Sequence, residues 1–481
     1  MKEETLDPED WEGLKKLGYQ MIDESIDFLK NVRDRKVWQP IPEETKEFLN
    51  LPYPRKPMEM EKIYENFKNH IAKYAMGNIH PRFWGWVIGT GTMSGAMADM
   101  LASVVNSNMG GGNHGPALVE QQVVNWAREI FGFPTDSSGL LVTGGSMANL
   151  IGLTVARNTM LKEFVRETGL QDVDTKFAYY GSSEMHNSLQ KAVEMLGLGN
   201  QYLRRIPVDD NFQIRLDLLK EKIREDKAMG IKPLCLIANA GTVNTAAFDN
   251  LEELSKIAKE ENMWYHIDGA FGALAYISND NKQLTKGLQL ADSLSFDFHK
   301  WFYVNFEAGC ILVKNKQDHI NAFEVHASYL MKHEKGIGSS GSTWFSDYGV
   351  ELSRNFKALK IWFSFLEHGL DKYARLVDQN IAQAKYTGTL INETEDLELM
   401  APVSCNIVCY RYNPKNRNLT VDELNHLNKN ILMTLQEEGI AAPSYTYIKG
   451  NYVLRVAIVN HRSRIEDFDL LIEKTIEVGK R

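Results

Sequence analysis

The chain has 481 residues, 43% of them apolar and 24% charged, with a net charge of −9. That composition describes a globular protein with ample core, and the acidic balance argues against nonspecific binding to nucleic acid or to an anionic membrane surface. No run of about 18 apolar residues exists to span a membrane, and the acidic start "MKEETLDPEDWEG" lacks the apolar stretch of a secretory signal.

Residues 8–34 have the apolar spacing of a helix, and the proline-rich stretches "WQPIPEE" and "LPYPRKP" separate this arm from the body of the chain. A second helix is expected over 59–75, before the aromatic, turn-rich "GNIHPRFWGWVIGTGT". From 117 onward amphipathic helices alternate with apolar strands: "GLLVT", "KFAYYGS", "PLCLIANAG", "MWYHIDGA", "DSLSFDF" and "GCILVK". That alternation predicts an α/β fold, a mostly parallel sheet covered by helices, with ligands at the carboxyl ends of its strands. A long helix is expected from about 355. Beyond it, "SCNIVCYRY", a helical segment and "YVLRVAIVN" predict a small α+β domain with an antiparallel sheet. The expected division is an N-terminal helical arm at 1–78, a large domain at 79–365 and a small domain at 366–481. The four cysteines, at 235, 310, 405 and 409, lack zinc-site spacing, and such sparse use suits a reducing compartment, here read as the cytoplasm. No metal site is expected.

Chemistry-bearing groups collect where the strands stop. "LLVTGGSMAN" runs from strand through a glycine turn into a helix, whose first N–H groups and dipole can hold a phosphate with help from Ser146. Taken alone, it reads more readily as a glycine turn capped by Ser146. "WYHIDGAFGA" ends on Asp268, which caps a turn or meets a cationic ring nitrogen. "YGSSEMHNS" puts His186 at a strand-to-helix junction, and "IANAGTVNTAAFDN" offers Thr242 and Asp249. Lys300 lies in the apolar "DFHKWFYVNFEAG", where an ammonium is costly unless paired or neutralised. A phosphate cradle, a carboxylate, a flat imidazole and a lysine away from bulk water are together what pyridoxal 5'-phosphate (PLP) requires.

"DFHKWFYVNFEAG", with "HIDGAFGA", "TGGSMANL", "EMHNS" and "HPRFWGW", resembles the group II PLP-dependent amino-acid decarboxylases, most closely the aromatic-L-amino-acid branch, over roughly residues 8 to 475. The resemblance implies the fold of type I PLP-dependent transferases. It implies that Lys300 is the Schiff-base lysine, Asp268 the partner of the pyridine nitrogen, Ala270 a contact on the ring face and His186 the stacked imidazole. Gly145, Ser146 and His299 fall where the family holds the phosphate, Thr242 beside the cofactor, and Asp249 where it supports the site. Phe83, Trp86 and Thr90 fall in the family's substrate loop, and Arg455 matches a C-terminal arginine near the site. The aromatic residues Phe83, Trp84 and Trp86 either wall the substrate pocket or belong to the core. Tyr329 occupies the place of a tyrosine that returns a proton after CO2 departs, where aldehyde synthases tend to have phenylalanine. The run "GIGSSG" after it is no dinucleotide fingerprint, because no strand precedes it, and is read as part of a lid.

The expected activity is therefore decarboxylation of an L-amino acid, an aromatic one, to its amine and CO2, by a homodimer whose sites lie at the interface and whose arm wraps the partner. Departures from the family pattern touch the side-chain pocket ("IGTGTMSG", "GGGNHGP") and the phosphate end, where Asp297 and Phe298 replace Asn-Pro. Three alternatives stand beside it: an oxidative aldehyde synthase, a decarboxylase of an acidic amino acid, and a PLP-binding scaffold without catalysis.

Overall fold

Apolar residues run through the middle strands without a break, and such strands need cover on both faces. The structure is a computed structural model that describes residues 3–161, 164–171, 173–325, 333–339, 341 and 343–481. Its strands in chain order are β1 (Phe83–Trp84), β2 (Ser138–Val142), β3 (Phe177–Ser182), β4 (Leu203–Ile206), β5 (Lys232–Asn239), β6 (Trp264–Asp268), β7 (Ser293–Asp297), β8 (Gly309–Val313), β9 (Leu397–Leu399), β10 (Ile407–Tyr412), β11 (Ala442–Ile448) and β12 (Asn451–Ala457). Seven of them form one sheet in the order β2-β8-β7-β6-β5-β3-β4. All its pairings are parallel except the two made by β8. The carboxyl ends of β2, β3, β5, β6 and β7 consequently share one edge. This is the expected α/β fold, with the architecture of type I PLP-dependent enzymes.

The two faces of β5 show how cover is divided. Leu236 and Ala238 pack in one cluster with Leu219 and Ile223 of the helix Leu216–Ala228 and Leu254 and Ile257 of the helix Leu251–Glu260. Cys235 and Ile237 pack in the other with Ile151 and Val155 of the helix Gly145–Leu161 and Leu189 and Val193 of the helix Asn187–Met195. Each such aliphatic side chain contributes about 1.5–3 kcal/mol by burial, so truncating Ile237 in this two-sided core costs about 2–5 kcal/mol.

The remaining strands build a second sheet in the order β1-β11-β12-β10-β9. It is antiparallel, as expected, except where β1 joins β11 in parallel through Phe83↔Ala442 and Trp84↔Pro443. The helix Val421–Glu437 packs on it, opened by a capping box between Thr420 and Glu423. So β1, within the span 79–365 assigned to the large domain, is an edge strand of the smaller sheet. Trp84 is core: its ring stacks on Phe468 at 4.9 Å and its Nε1 donates to Ser463 Oγ at 3.1 Å.

Other expectations shift at their ends. The arm helix is Trp11–Lys30, started by the Asp10 side chain, which accepts from Gly13 N at 2.9 Å. The helix expected over 59–75 is α-helical only at Met60–Asn66 and continues as a π turn and a 3-10 turn. The long helix expected from 355 is two, Ala358–His368 and Leu370–Glu393, parted at Gly369, where φ is +69°. The helix Met93–Val105 lies in a segment to which the sequence reading assigns no element. Among the described residues, no helix is long and apolar enough to cross a membrane.

Candidate active site

The shared strand edge opens into a cavity of about 450 Å³. Each strand that stops there delivers one group. After β2, Thr143 and Gly144 turn directly into the helix Gly145–Leu161, so the first N–H groups of that helix and Ser146 face the cavity. After β3, His186 caps the helix Asn187–Met195, its Nδ1 accepting from Ser188 N at 3.2 Å. β6 ends on Asp268, and β7 ends on Asp297, three residues before Lys300.

Lys300 Nζ lies 2.7 Å from Asp297 Oδ2, which answers how this chain tolerates an ammonium among apolar residues. The other Asp297 oxygen, Oδ1, is buried without a hydrogen-bond partner among the described residues. Asp268 accepts from Ala270 N at 3.1 Å and from Asn149 Nδ2 at 3.0 Å, so its carboxylate is held by two donors. Burial lowers the His186 and His299 pKa values, favouring the neutral rings. His299 Nδ1 accepts from Ala308 N at 3.1 Å, which leaves its proton on Nε2.

The glycine turn is tight for a reason. A Cβ on Gly144 would come within 3.3 Å of His299 Cε1, and one on Gly145 within 3.1 Å of Asp297 Oδ2. Those side chains would fill the space before the helix N-terminus, where an anion binds. A helix start for a phosphate, a doubly held carboxylate for a ring nitrogen, an imidazole and an amine fit PLP. With the fold, they define a PLP-dependent enzyme of fold type I.

Lys300, Asp268, Ala270, His186, Gly145 and Ser146 line this one cavity, as do His299 and Trp86. Four expected residues stand elsewhere. Phe83 is buried with Val37 and Ala442, where β1 pairs with the small sheet, on the core side of the two readings. Thr90 is buried and does not line the cavity. Thr242 pins the turn after β5, its Oγ1 accepting from Ala247 N at 3.0 Å. Arg455 stands behind the cavity wall. It is buried, and its guanidinium donates to the carbonyls of Trp86, Asn244 and Val243 and to Ser444 Oγ, so it is not a free cation at the substrate. Asp249 accepts from the backbone of Asn239 and Ile214 and so fixes the end of β5. Tyr329 lies outside the described residues.

Sequence reasoning missed the apolar wall of Val87, Val243 and Phe271, and the polar pair Asn149 and Ser188. Asn149 had a signal. It stands four residues after Gly145, hence on the same helix face as the phosphate turn.

Comparison with known proteins agrees with the site. The sequence model of the pyridoxal-dependent decarboxylase conserved domain matches residues 42–413. The aromatic-L-amino-acid decarboxylase of Bacillus atrophaeus is 32% identical over 459 residues, covering 95% of this chain and 93% of that protein. A phenylacetaldehyde synthase of Petunia hybrida is 28% identical over 473 residues, covering 94% and 91%. The crystal structure of Oryza sativa TDC with PLP and tryptamine shares the fold with a TM-score of 0.90 at 22% identity, covering 98% of this chain and 99% of that one. The chain belongs to the pyridoxal-dependent decarboxylase family. It is a PLP-dependent amino-acid decarboxylase, a carboxy-lyase.

Proposed function

We propose that the protein converts an aromatic L-amino acid to its amine and CO2. The observation that carries the aromatic reading is the cavity wall: Trp86, Val87, Val243 and Phe271 offer an apolar surface, and Lys300 is the only Lys or Arg among the described residues lining it. An acidic substrate would need a second cation, and four of the five Arg455 donors are committed to backbone carbonyls and Ser444. Relatives of both chemistries, the decarboxylase of Bacillus atrophaeus and the synthase of Petunia hybrida, carry names consistent with aromatic substrates.

When bound, PLP supplies an aldehyde for an amine and a ring that accepts the electron pair left by CO2. This chain's residues supply the rest. Lys300 would hold the cofactor through its amine, the one ammonium in the described lining of the cavity. Asp268, fixed as an acceptor by Asn149 and Ala270, keeps the ring nitrogen protonated. Gly145, Ser146 and His299 hold the phosphate, the last with its Nε2 proton. His186 stacks on the ring, and Trp86 with Val87 excludes water from the substrate side. Tyr329 returns the proton to Cα, which makes the product an amine. The similarity to phenylacetaldehyde synthases keeps a second reading open, in which O2 is consumed and aldehyde, ammonia and peroxide accompany CO2.

The exposed apolar side chains Leu101, Val104, Val105 and Leu118 support a homodimer as the working form. Four free, buried cysteines support a reducing, cytoplasmic setting. The deciding experiment is a turnover screen over tryptophan, tyrosine, phenylalanine, dopa, histidine, glutamate and aspartate, reading CO2, amine, aldehyde and peroxide. Turnover confined to glutamate or aspartate would refute the aromatic assignment, and peroxide equal to CO2 would favour the synthase.

A further inference from the structure

Behind Asp268 the polar groups form a buried chain whose polarity can be worked out. Asp268 Oδ2 is an acceptor, so the Asn149 atom 3.0 Å from it must be the amide nitrogen. The carbonyl oxygen of Asn149 then faces His266 Nε2 at 2.9 Å and Ser295 Oγ at 2.5 Å, and both must donate. His266 is wholly buried, and burial lowers its pKa to about 4, so the ring is neutral and Nδ1 bears no proton. Ser293 Oγ, 2.8 Å from that Nδ1, therefore donates to it and accepts from Trp264 Nε1 at 2.8 Å. Every donor and acceptor is consistent from Trp264 to Asp268.

The second amide hydrogen of Asn149 points the other way, to Ser188 Oγ at 3.1 Å. A hydroxyl that accepts there has its own hydrogen free for His186 Nδ1, at 2.8 Å, and the Ser188 N–H donates to the same nitrogen. His186 Nδ1 is thus an acceptor twice over, and the proton of its neutral ring is on Nε2. His266 reaches Asn149 only because residue 152 is glycine, since a Cβ there would lie 2.9 Å from His266 Cε1.

We infer that Asn149 is a positioning residue that orients both catalytic arms at once: one amide hydrogen fixes Asp268 for the cofactor ring, and the other, through Ser188, fixes His186 with its proton on Nε2. Replacing Asn149 removes a side-chain donor from both arms, leaving Asp268 the Ala270 N–H and His186 the Ser188 N–H, whereas replacing Ser188 removes only the hydroxyl link to the histidine. Asn149 also lines the cavity, so one planar group joins the carboxylate and the histidine there.

This rests on the proposed placement of PLP against Asp268 and His186. The test has two parts. First, apoprotein is titrated with PLP by absorbance for wild type, Asn149→Ala and Ser188→Ala. The expected result is a dissociation constant raised at least tenfold by Asn149→Ala and less than threefold by Ser188→Ala, with Ser188→Ala lowering kcat more than it changes KM. Wild-type affinity in Asn149→Ala overturns the inference, whereas a wild-type protein that binds no PLP overturns the placement itself. Second, nitrogen NMR of the histidine-labelled wild-type holoenzyme, assigned with His186→Gln, needs no destabilised variant. Protonated Nε2 on His186 supports the inference, and protonated Nδ1 overturns it.

Discussion

Arg455→Met separates two meanings of a buried arginine near an active site. Arg455 lies on β12, 3% exposed, and donates to Trp86 O at 2.9 Å, Asn244 O at 3.0 Å, Val243 O and Ser444 Oγ at 3.1 Å. It therefore joins the small sheet to the turn after β5 and to the peptide of Trp86. Trp86 has a φ of +52°, an uncommon conformation for a bulky residue, and this bond helps hold it there. Burial lowers the guanidinium pKa to about 10, so it remains a cation at neutral pH. Methionine fills much of the volume but leaves the Trp86 and Val243 carbonyls unpaired, while Asn244 O keeps the Cys409 thiol at 3.4 Å, so at about 1–3 kcal/mol for each unpaired carbonyl the loss is about 2–6 kcal/mol. Urea unfolding followed by circular dichroism should show a midpoint well below wild type, and KM should rise as Trp86 loosens. If the variant unfolds at the wild-type midpoint while kcat/KM collapses, Arg455 serves the substrate and the clamp assignment is wrong.

Lys300→Ala should bind PLP without the covalent absorbance band and should form no amine; undiminished amine formation would remove Lys300 from the mechanism. Tyr329→Phe should lower amine yield at least tenfold and raise aldehyde and peroxide, read by product analysis; a variant making amine alone would refute the proton-return role. The buried His319 is depressed from the usual 6.5 to about 3 by burial, so the unfolded chain takes up its proton first as pH falls. Stability is accordingly full above about pH 6.5 and lost toward pH 3, at up to about 1.4 kcal/mol per pH unit for this one group. Urea midpoints at pH 7 and pH 5 should differ, and less so in His319→Gln; a flat wild-type profile would contradict this.

The site was legible in large part because strand-end chemistry is local in sequence. Asp268 ends one strand and Lys300 follows another, each marked by its apolar run, and the sheet order does the rest. The illegible part depends on pairing over distance. Phe83 reads as a pocket aromatic until Ala442, far along the chain, draws it into a sheet. Arg455 reads as a site cation until three backbone carbonyls, which have no sequence signature, claim most of its donors. The division of the helix at Gly369 was visible as a glycine in a periodic run, yet a helix tolerates one glycine at about 1 kcal/mol, so pattern alone does not decide it. Asn149 escapes a reading of the sequence because its role lies in the direction of two hydrogens, which only its neighbours reveal.

The parallel pairing of β1 with β11 has a consequence for biosynthesis. A ribosome emits Phe83 and Trp84 long before residues 442–448 exist, so the edge they join is missing while the large sheet assembles. The groups for the cofactor are then complete before the tryptophan wall is anchored. A nascent chain arrested ahead of position 442 should capture PLP yet leave the amino-acid side open to water, so selectivity is the last property this polypeptide acquires.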